Sequence, residues 1–415
     1  MEIWIFNHHA QSPKIPGGTR HYDLSKQLIK LGHNVTIFAA GFHYTLLKEV
    51  VDYKGENYKV EYLDKVKFIW IKTLPYQVNN WKRMQNILSY SWSLNFLIPK
   101  LNLKKPDIII GTTVHPFAPL IAYKFAKKYK IPFIFEIRDL WPQSFIDMKI
   151  WNKESLVSKV FKKIEAYTVK KSNHIIILSP KTKQYLLDEY RYDKTMLIPN
   201  SVDLEAVEES LSIKSKDNIT IKTLSNIKKS GQFICLFTGA IVETNTIHIF
   251  VEMARVIRDK NIQIVLVGQG QEKVKYEQIK EKESLDNISF LHPVEKSLVP
   301  KLLKLSDCLL LIQGNIQWGS SNKLYDYLAA KKPIVTSLYA KHNDIVEEIN
   351  CGYSSDYNNS NSTIEKILKV YNHSKTERDK MGKNAYEYVM ANHDIKLMAK
   401  KLDVLCKDLI KRGVK

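Results

Sequence analysis

Two α/β domains, each built on a doubly wound parallel sheet, are predicted by three observations. The chain has 415 residues, whereas a single hydrophobic core stops growing at about 250–300 residues. Short β-branched runs alternate with amphipathic segments of helical length, the pattern of parallel strands joined by crossover helices. The alternation comes as two separate series with a polar, charged stretch between them.

The first series places strands at 3–6, 35–38, 66–71, 107–110, 133–136 and 174–178, each followed by a helix-like segment. In the first helix, HYDLSKQLIKLG, Tyr22, Leu24, Leu28 and Leu31 fall on helical spacing and Gly32 supplies the stop before strand NVTIF. The second series places strands at 233–237, 262–267, 288–291, 308–312 and 334–336. Between them, 208–231 is polar with little sustained periodicity and suits an interdomain segment or an elaborated edge. The boundary is placed near 200–230, which gives domains 1–205 and 206–390. Beyond Asn358 the chain reads as helical, and its last segment, 391–415, is expected to cross back to the first domain. No short-period repeat or low-complexity tract is present. Two such sheets facing one another make a cleft, and ligands bind beyond the carboxyl ends of the strands, so the loops after strands matter most.

Composition narrows the function. With 44% hydrophobic and 26% charged residues the chain is a packed globular protein. Its 63 Lys and Arg against 43 Asp and Glu give +20, a field that attracts phosphates on a nucleotide, a nucleic acid or an anionic membrane. Cys235, Cys308, Cys351 and Cys406 lie far apart with no CxxC pair, as in a reducing cytoplasm. MEIWIFNHHA is apolar for too few residues for a signal peptide. No run reaches the roughly 18 consecutive apolar residues of a membrane span, so any membrane contact is expected to be peripheral. Trp81, Met84, Leu88 and Trp92 fall near one face of a helix flanked by Lys82, Arg83, Lys100, Lys104 and Lys105. Core packing is the commoner cause of such a stripe; an interfacial helix has the same mixture.

The segment QGNIQWGSSNKLYDYLAAKKPIVTS runs from a buried strand through a small polar loop into a helix. Gly319, Ser320, Ser321 and Asn322 can present N–H groups and hydroxyls at the helix N-terminus, where the dipole favours an anion, and Lys323 adds a cation. Asp326, one turn on, can accept hydrogen bonds from ribose hydroxyls. The bland reading is an N-capped helix with solvated Lys and Asp. Gly17 and Gly18 can bring backbone close to a phosphate, or form a plain surface turn. No Asp-x-Asp occurs, so a metal clamp on a diphosphate is not expected and no metal ligands are assigned.

SSNKLYDYLAAKKP resembles the donor-binding stretch of glycosyltransferase family 4, in the branch that builds bacterial surface polysaccharides. SPKIPGGTRHYDLSKQLIKLGHNVTIFAAGFHY, GTTVHPFAPLIA and PFIFEIRDLWPQ resemble its first-domain active-site loops, and FTGAIVETNTIHIFVEMARVI the opening of its second domain. The resemblance implies the GT-B fold, two Rossmann-like domains facing across a cleft, and a retaining transferase. Its donor would be a nucleotide sugar, most simply a UDP-sugar; no other cofactor is implied. In these terms Arg20 reaches toward the cleft. His115 bonds a sugar hydroxyl or phosphate, and Arg138 and Asp139 stand where many members have a His-Asp pair. Gly239, Thr244, Asn245 and Gly268 line the donor side with Ser320, Ser321, Asn322 and Asp326. Where relatives place an Arg and a Lys, 240–247 has neither and Glu243 is acidic, which shifts the load to Lys323, Arg20 and the helix end. Trp318 stands where the family's first acidic residue stands. The implied acceptor is a polyprenyl-diphosphate-linked glycan at the inner face of the cytoplasmic membrane. Alternatives are a sugar-nucleotide epimerase of the same architecture and a basic nucleic-acid-binding protein; no zinc finger, RRM signature or basic tail supports the latter.

Overall fold

The computed structural model describes residues 1–78, 81–213, 218–314, 318 and 320–413. Two sheets carry it. The first has eight strands in the spatial order Thr195–Leu197, His174–Ile177, Phe133–Ile137, Ile108–Thr113, Glu2–Phe6, Asn34–Ala40, Val66–Ile71 and Tyr58–Leu63. All pairs are parallel except the last, a hairpin edge. The second has six parallel strands, ordered Ile288–Leu291, Ile262–Val267, Phe233–Thr238, Cys308–Gln313, Ile334–Leu338 and Gly352–Ser355. Each central strand is buried along all or nearly all of its length, because helices cover both faces. This is the GT-B architecture, two Rossmann-like domains across a cleft.

Within these two sheets three strands escape the pattern reading, and all lie at sheet edges; the short pair Phe42–His43 and Lys48–Glu49 escapes it too. Tyr58–Leu63, Thr195–Leu197 and Gly352–Ser355 are short or half-exposed and lack the continuous apolar runs of the centre. The polar 208–231 stretch contains parts of helices Leu204–Ser212 and Ile219–Lys229, capped by Asp203 and Asn218, while 214–217 lie outside the described residues. Only a narrow stripe of each is buried, so the apolar signal was weak.

The chain passes between the sheets twice, side by side. Val202 N–H donates to His393 O at 3.1 Å and Ile395 N–H to Val202 O at 3.0 Å. Helix Ile395–Arg412 then lies against the first domain, where Met398, Leu402 and Cys406 join the core containing Ile3, Ile37 and Ile108. His33 Nε2 meets Asp403 Oδ1 at 2.7 Å along the same contact. Among the described residues no helix is long and apolar enough to cross a membrane.

Helix Trp81–Leu97 buries Asn86, Ile87, Tyr90 and Leu94. The aromatic stripe faces the other way: Trp81 is 65% exposed, Trp92 69% and Phe96 49%. Core packing, the commoner cause of such a stripe, is therefore not its cause here.

Candidate active site

In a doubly wound sheet the crevice opens where the strand order reverses. In the first sheet that point lies between Glu2–Phe6 and Ile108–Thr113, and in the second between Phe233–Thr238 and Cys308–Gln313. The loops leaving these four strands carry most of the residues singled out in the sequence.

On the second domain, helix Asn322–Ala329 follows N-cap Ser321, whose side chain does not close the helix end. The first N–H groups therefore lack the side-chain acceptor that usually satisfies them. Lys323 turns back over the loop after Phe233–Thr238: Nζ stands 4.4 Å from the Phe237 ring centroid and donates to Asn245 Oδ1 at 3.2 Å. Asn245 in turn donates through Nδ2 to Ala240 O at 2.6 Å. Among the described residues Lys323 has no carboxylate partner, and burial in the cleft pushes its ammonium down to about 7. Gly239, at φ +152°, must be glycine: a Cβ there would stand 3.0 Å from Lys323 Nζ. Its carbonyl lies so close to Gly268 that a methyl at 268 would fall 1.8 Å from it. Thr244 is exposed, and its carbonyl accepts from Gly314 N–H at 2.8 Å, tying the two switch-point loops together.

Across the cleft stands the glycine turn. A Cβ on Gly18 would come within 2.6 Å of Asn322 Nδ2, so the turn and the helix end touch. His43 Nε2 donates to Pro16 O at 2.8 Å and fixes the approach to Gly17. The structure thus brings Gly17, Gly18, Gly239, Asn245, Gly268, Asn322 and Lys323 around one space. Gly319 lies outside the described residues.

Ser320 and Ser321 look partly into a neighbouring cavity of about 250 Å3 lined also by Leu178, Leu197, Tyr325 and His393. That cavity is on the side of the two chain crossings, and Lys323 and Gly239 are absent from its wall. Ser320 Oγ is 2.8 Å from Tyr325 OH, and its carbonyl accepts from Asn200 Nδ2 at 2.6 Å. Asp326 is engaged elsewhere: both its oxygens take Lys296 Nζ, at 2.6 and 2.5 Å. A ribose would have to share that carboxylate with the lysine. Trp318 bridges the domains, its Nε1–H donating to Asp147 Oδ2 at 2.5 Å and its ring 5.3 Å from Tyr185.

Arg20 is a correction. Its guanidinium is buried and turned inward, bonding Glu136 Oε1 at 3.0 Å, Pro199 O at 2.6 Å and Ile198 O at 2.7 Å. It fastens helix Arg20–Lys30 to the core of the sheet and has little left for a diphosphate. The reason is Glu136, a carboxylate within the buried strand Phe133–Ile137 that requires a cation. Burial alone would push that carboxyl up; His21, Arg20 and Arg138 outweigh it and hold it well below the usual range.

His115 is also placed differently from its expectation. It is fully buried, and both ring nitrogens are engaged: Nδ1 accepts Ala118 N–H at 3.3 Å, and Nε2 lies 2.8 Å from His8 Nδ1. Burial pushes it down to about 3, so it is neutral, with its proton on Nε2 donated to His8. Both His115 nitrogens are thus taken up within the protein, and the ring is not presented to the cleft. The sequence by itself assigned no role to the adjacent His8–His9 pair. The loop after the first strand at a switch point was the signal that could have promoted it. Arg138 donates its backbone N–H to Thr113 Oγ1 at 2.9 Å. Asp139 is open to the cleft yet deep within it, and the crowding there raises its carboxyl despite Arg138 and Arg83. Among the described residues no group of three or more His, Cys, Asp or Glu is placed to hold a metal ion.

A two-domain frame with an uncapped helix end facing a glycine turn at paired switch points serves more than one activity, and family likeness decides among them. The model of Glycosyltransferase Family 4 matches residues 17–206, and that of Glycosyl transferases group 1 matches residues 220–388. Both are glycosyltransferase models and together they span most of the chain, so the protein is a glycosyltransferase whose likeness to family 4 lies in residues 17–206. It is 22% identical over 319 residues to a putative colanic acid biosynthesis glycosyl transferase, WcaI, of Escherichia coli K12, covering 75% of this chain and 77% of that protein. Among solved structures, sucrose-phosphate synthase from Thermosynechococcus elongatus superposes with a TM-score of 0.75 at 14% identity, covering 99% of this chain and 100% of that one. Anabaena HepE in complex with UDP superposes at 0.68 with 13% identity, covering 98% and 99%. These likenesses do not favour the epimerase or nucleic-acid readings.

Proposed function

We propose that this glycosyltransferase moves a sugar from a UDP-sugar, with retention at the anomeric carbon, onto a lipid-linked or growing surface-polysaccharide acceptor. An N-acetylated amino or deoxy sugar such as N-acetyl-fucosamine is the donor sugar proposed. The observation that carries the reading is the apposition of Gly18 with Asn322 and of Gly239 with Lys323. Two close-approach backbones, an open helix end and a lysine without an acidic partner surround a space suited to a diphosphate. The bond from anomeric carbon to diphosphate oxygen breaks, and the acceptor oxygen bonds to the same face. Lys323 and the helix dipole stabilise the departing charge, a role that asks nothing of a metal ion. The UDP in HepE and the polysaccharide role named for WcaI agree with this reading.

The exposed Trp81, Leu88, Trp92 and Phe96 beside Lys100 support peripheral contact with the inner face of the cytoplasmic membrane. Titration calorimetry with UDP tests the donor site. Micromolar uptake by the full chain, weakened in Lys323→Met, is expected; no heat of binding to the unaltered protein refutes the proposal.

A further inference from the structure

The donor space leaves a second polar cluster unused, at the first sheet's switch point. Since His115 donates to His8 Nδ1, neutral His8 carries its proton on Nε2, and that N–H is buried without a partner. Both ring nitrogens of His9 and the Nε of Arg83 and of Arg138 are likewise buried and unpartnered. So many unsatisfied polar atoms in one place is unusual, because buried polar groups are ordinarily paired. Arg83 belongs to helix Trp81–Leu97, two turns before Tyr90, whose ring stacks on His8 at 4.4 Å. His9 in turn lies 4.4 Å from His8. Among the described residues neither arginine forms an ion pair, and Asp139 is the one carboxylate whose charge is coupled to both. Arg138 also faces Glu136, which Arg20 already pairs, so three guanidinium groups against two carboxylates leave the region positive.

We propose that Arg83, Arg138, His9 and His8 Nε2–H seat a phosphoryl group carried by the acceptor, the phosphate or diphosphate that joins its glycan to lipid. This rests on the reading of the chain as a transferase with a lipid-linked acceptor. Guanidinium forks match phosphate oxygens, and the neutral His8 N–H adds a donor without adding charge. The seat borders the glycine turn: Tyr44 lies 4.7 Å from His9 and 5.5 Å from His43, which holds Pro16. It is separate from Lys323, so donor and acceptor anions occupy different walls of the cleft. The same helix exposes Leu88, Trp92 and Phe96 on its outer side, a track for the attached polyprenyl chain.

The test uses the full chain saturated with UDP, so that the donor site is closed to other diphosphates. Farnesyl diphosphate, inorganic pyrophosphate and farnesol are titrated separately, against the unaltered protein, Arg83→Gln and His9→Ala. Circular dichroism and UDP affinity report folding. The proposal expects farnesyl diphosphate to bind and Arg83→Gln to weaken it by about tenfold or more, the loss of a charge-assisted pair, with UDP affinity unchanged and His9→Ala weakening it less. Arg83-dependent binding of pyrophosphate alone at equal strength would support the anion seat and assign it to free phosphate chemistry. Farnesol binding as well as its diphosphate, or equal diphosphate binding to unaltered protein and both variants, overturns the proposal while leaving the donor site intact. Failure of UDP itself to bind would instead sink the donor reading.

Discussion

UDP binding should draw a proton from solution, and Lys323 should be its destination. In the empty cleft the ammonium is held at about 7 by burial, with no carboxylate to support it. At pH 8 about 0.1 of the molecules then carry the proton on Lys323. A diphosphate at the helix end supplies the missing negative charge and returns the lysine toward its ordinary 10.5, so binding takes up about 0.9 proton per site. UDP's own terminal phosphate, with a second pKa of about 6, is already ionised at pH 8 and contributes little. His8, His9 and His115 are neutral throughout, since burial holds all three well below that pH. Asp23, raised to about 7 by burial, and Asp139, also raised by burial, can add a small uptake of their own. Calorimetric titrations with UDP in two buffers of different ionisation enthalpy give the proton count directly, and Lys323→Met separates the lysine from these carboxylates. The variant should lose most of the uptake and about tenfold to a hundredfold in affinity, the worth of a charged hydrogen bond. Equal proton uptake in the variant and the unaltered protein, or none in either, would refute the placement of the diphosphate beside Lys323.

Other consequences are as direct. Arg20→Met should leave UDP affinity nearly unchanged yet cost about 3–5 kcal/mol in chemical denaturation, because it strands a buried carboxylate. Since Glu136 is held below its ordinary 4.5, its stabilising contribution is full above that pH and lost as pH falls below it; acid titration of stability should show this limb flattened in the variant. Gly18→Ala should lower kcat/KM without lowering Tm, because Gly18 needs space beside Asn322 rather than an unusual φ; a fall in Tm would show that the turn is structural. His115→Ala should reduce kcat by a factor independent of pH between 5 and 8, since the ring never charges there; a new pH limb in the variant's profile would contradict the buried, neutral assignment. Asp326→Ala should weaken UDP binding if ribose displaces Lys296 from the carboxylate, and calorimetry would show unchanged affinity if it does not.

The local elements were legible in the sequence for a plain physical reason: strands buried on both faces must be continuously apolar, and Ile108–Thr113 or Ile262–Val267 can hardly be anything else. The loops SSNK and GG were picked out for their small residues and helix start, and the structure places Gly18 against Asn322. Edge strands and the capped helices around 204–229 were missed because half-exposed elements carry a diluted apolar pattern. What only the tertiary structure decided was direction and partnership. Arg20 sits one turn from the glycine pair, yet points inward because Glu136, more than a hundred residues later, is buried beside it. His115 is claimed by His8, Asp326 by Lys296, and the aromatic stripe of Trp81–Leu97 by solvent. A side chain's charge belongs to its residue type, but its availability depends on neighbours that folding brings from far along the chain.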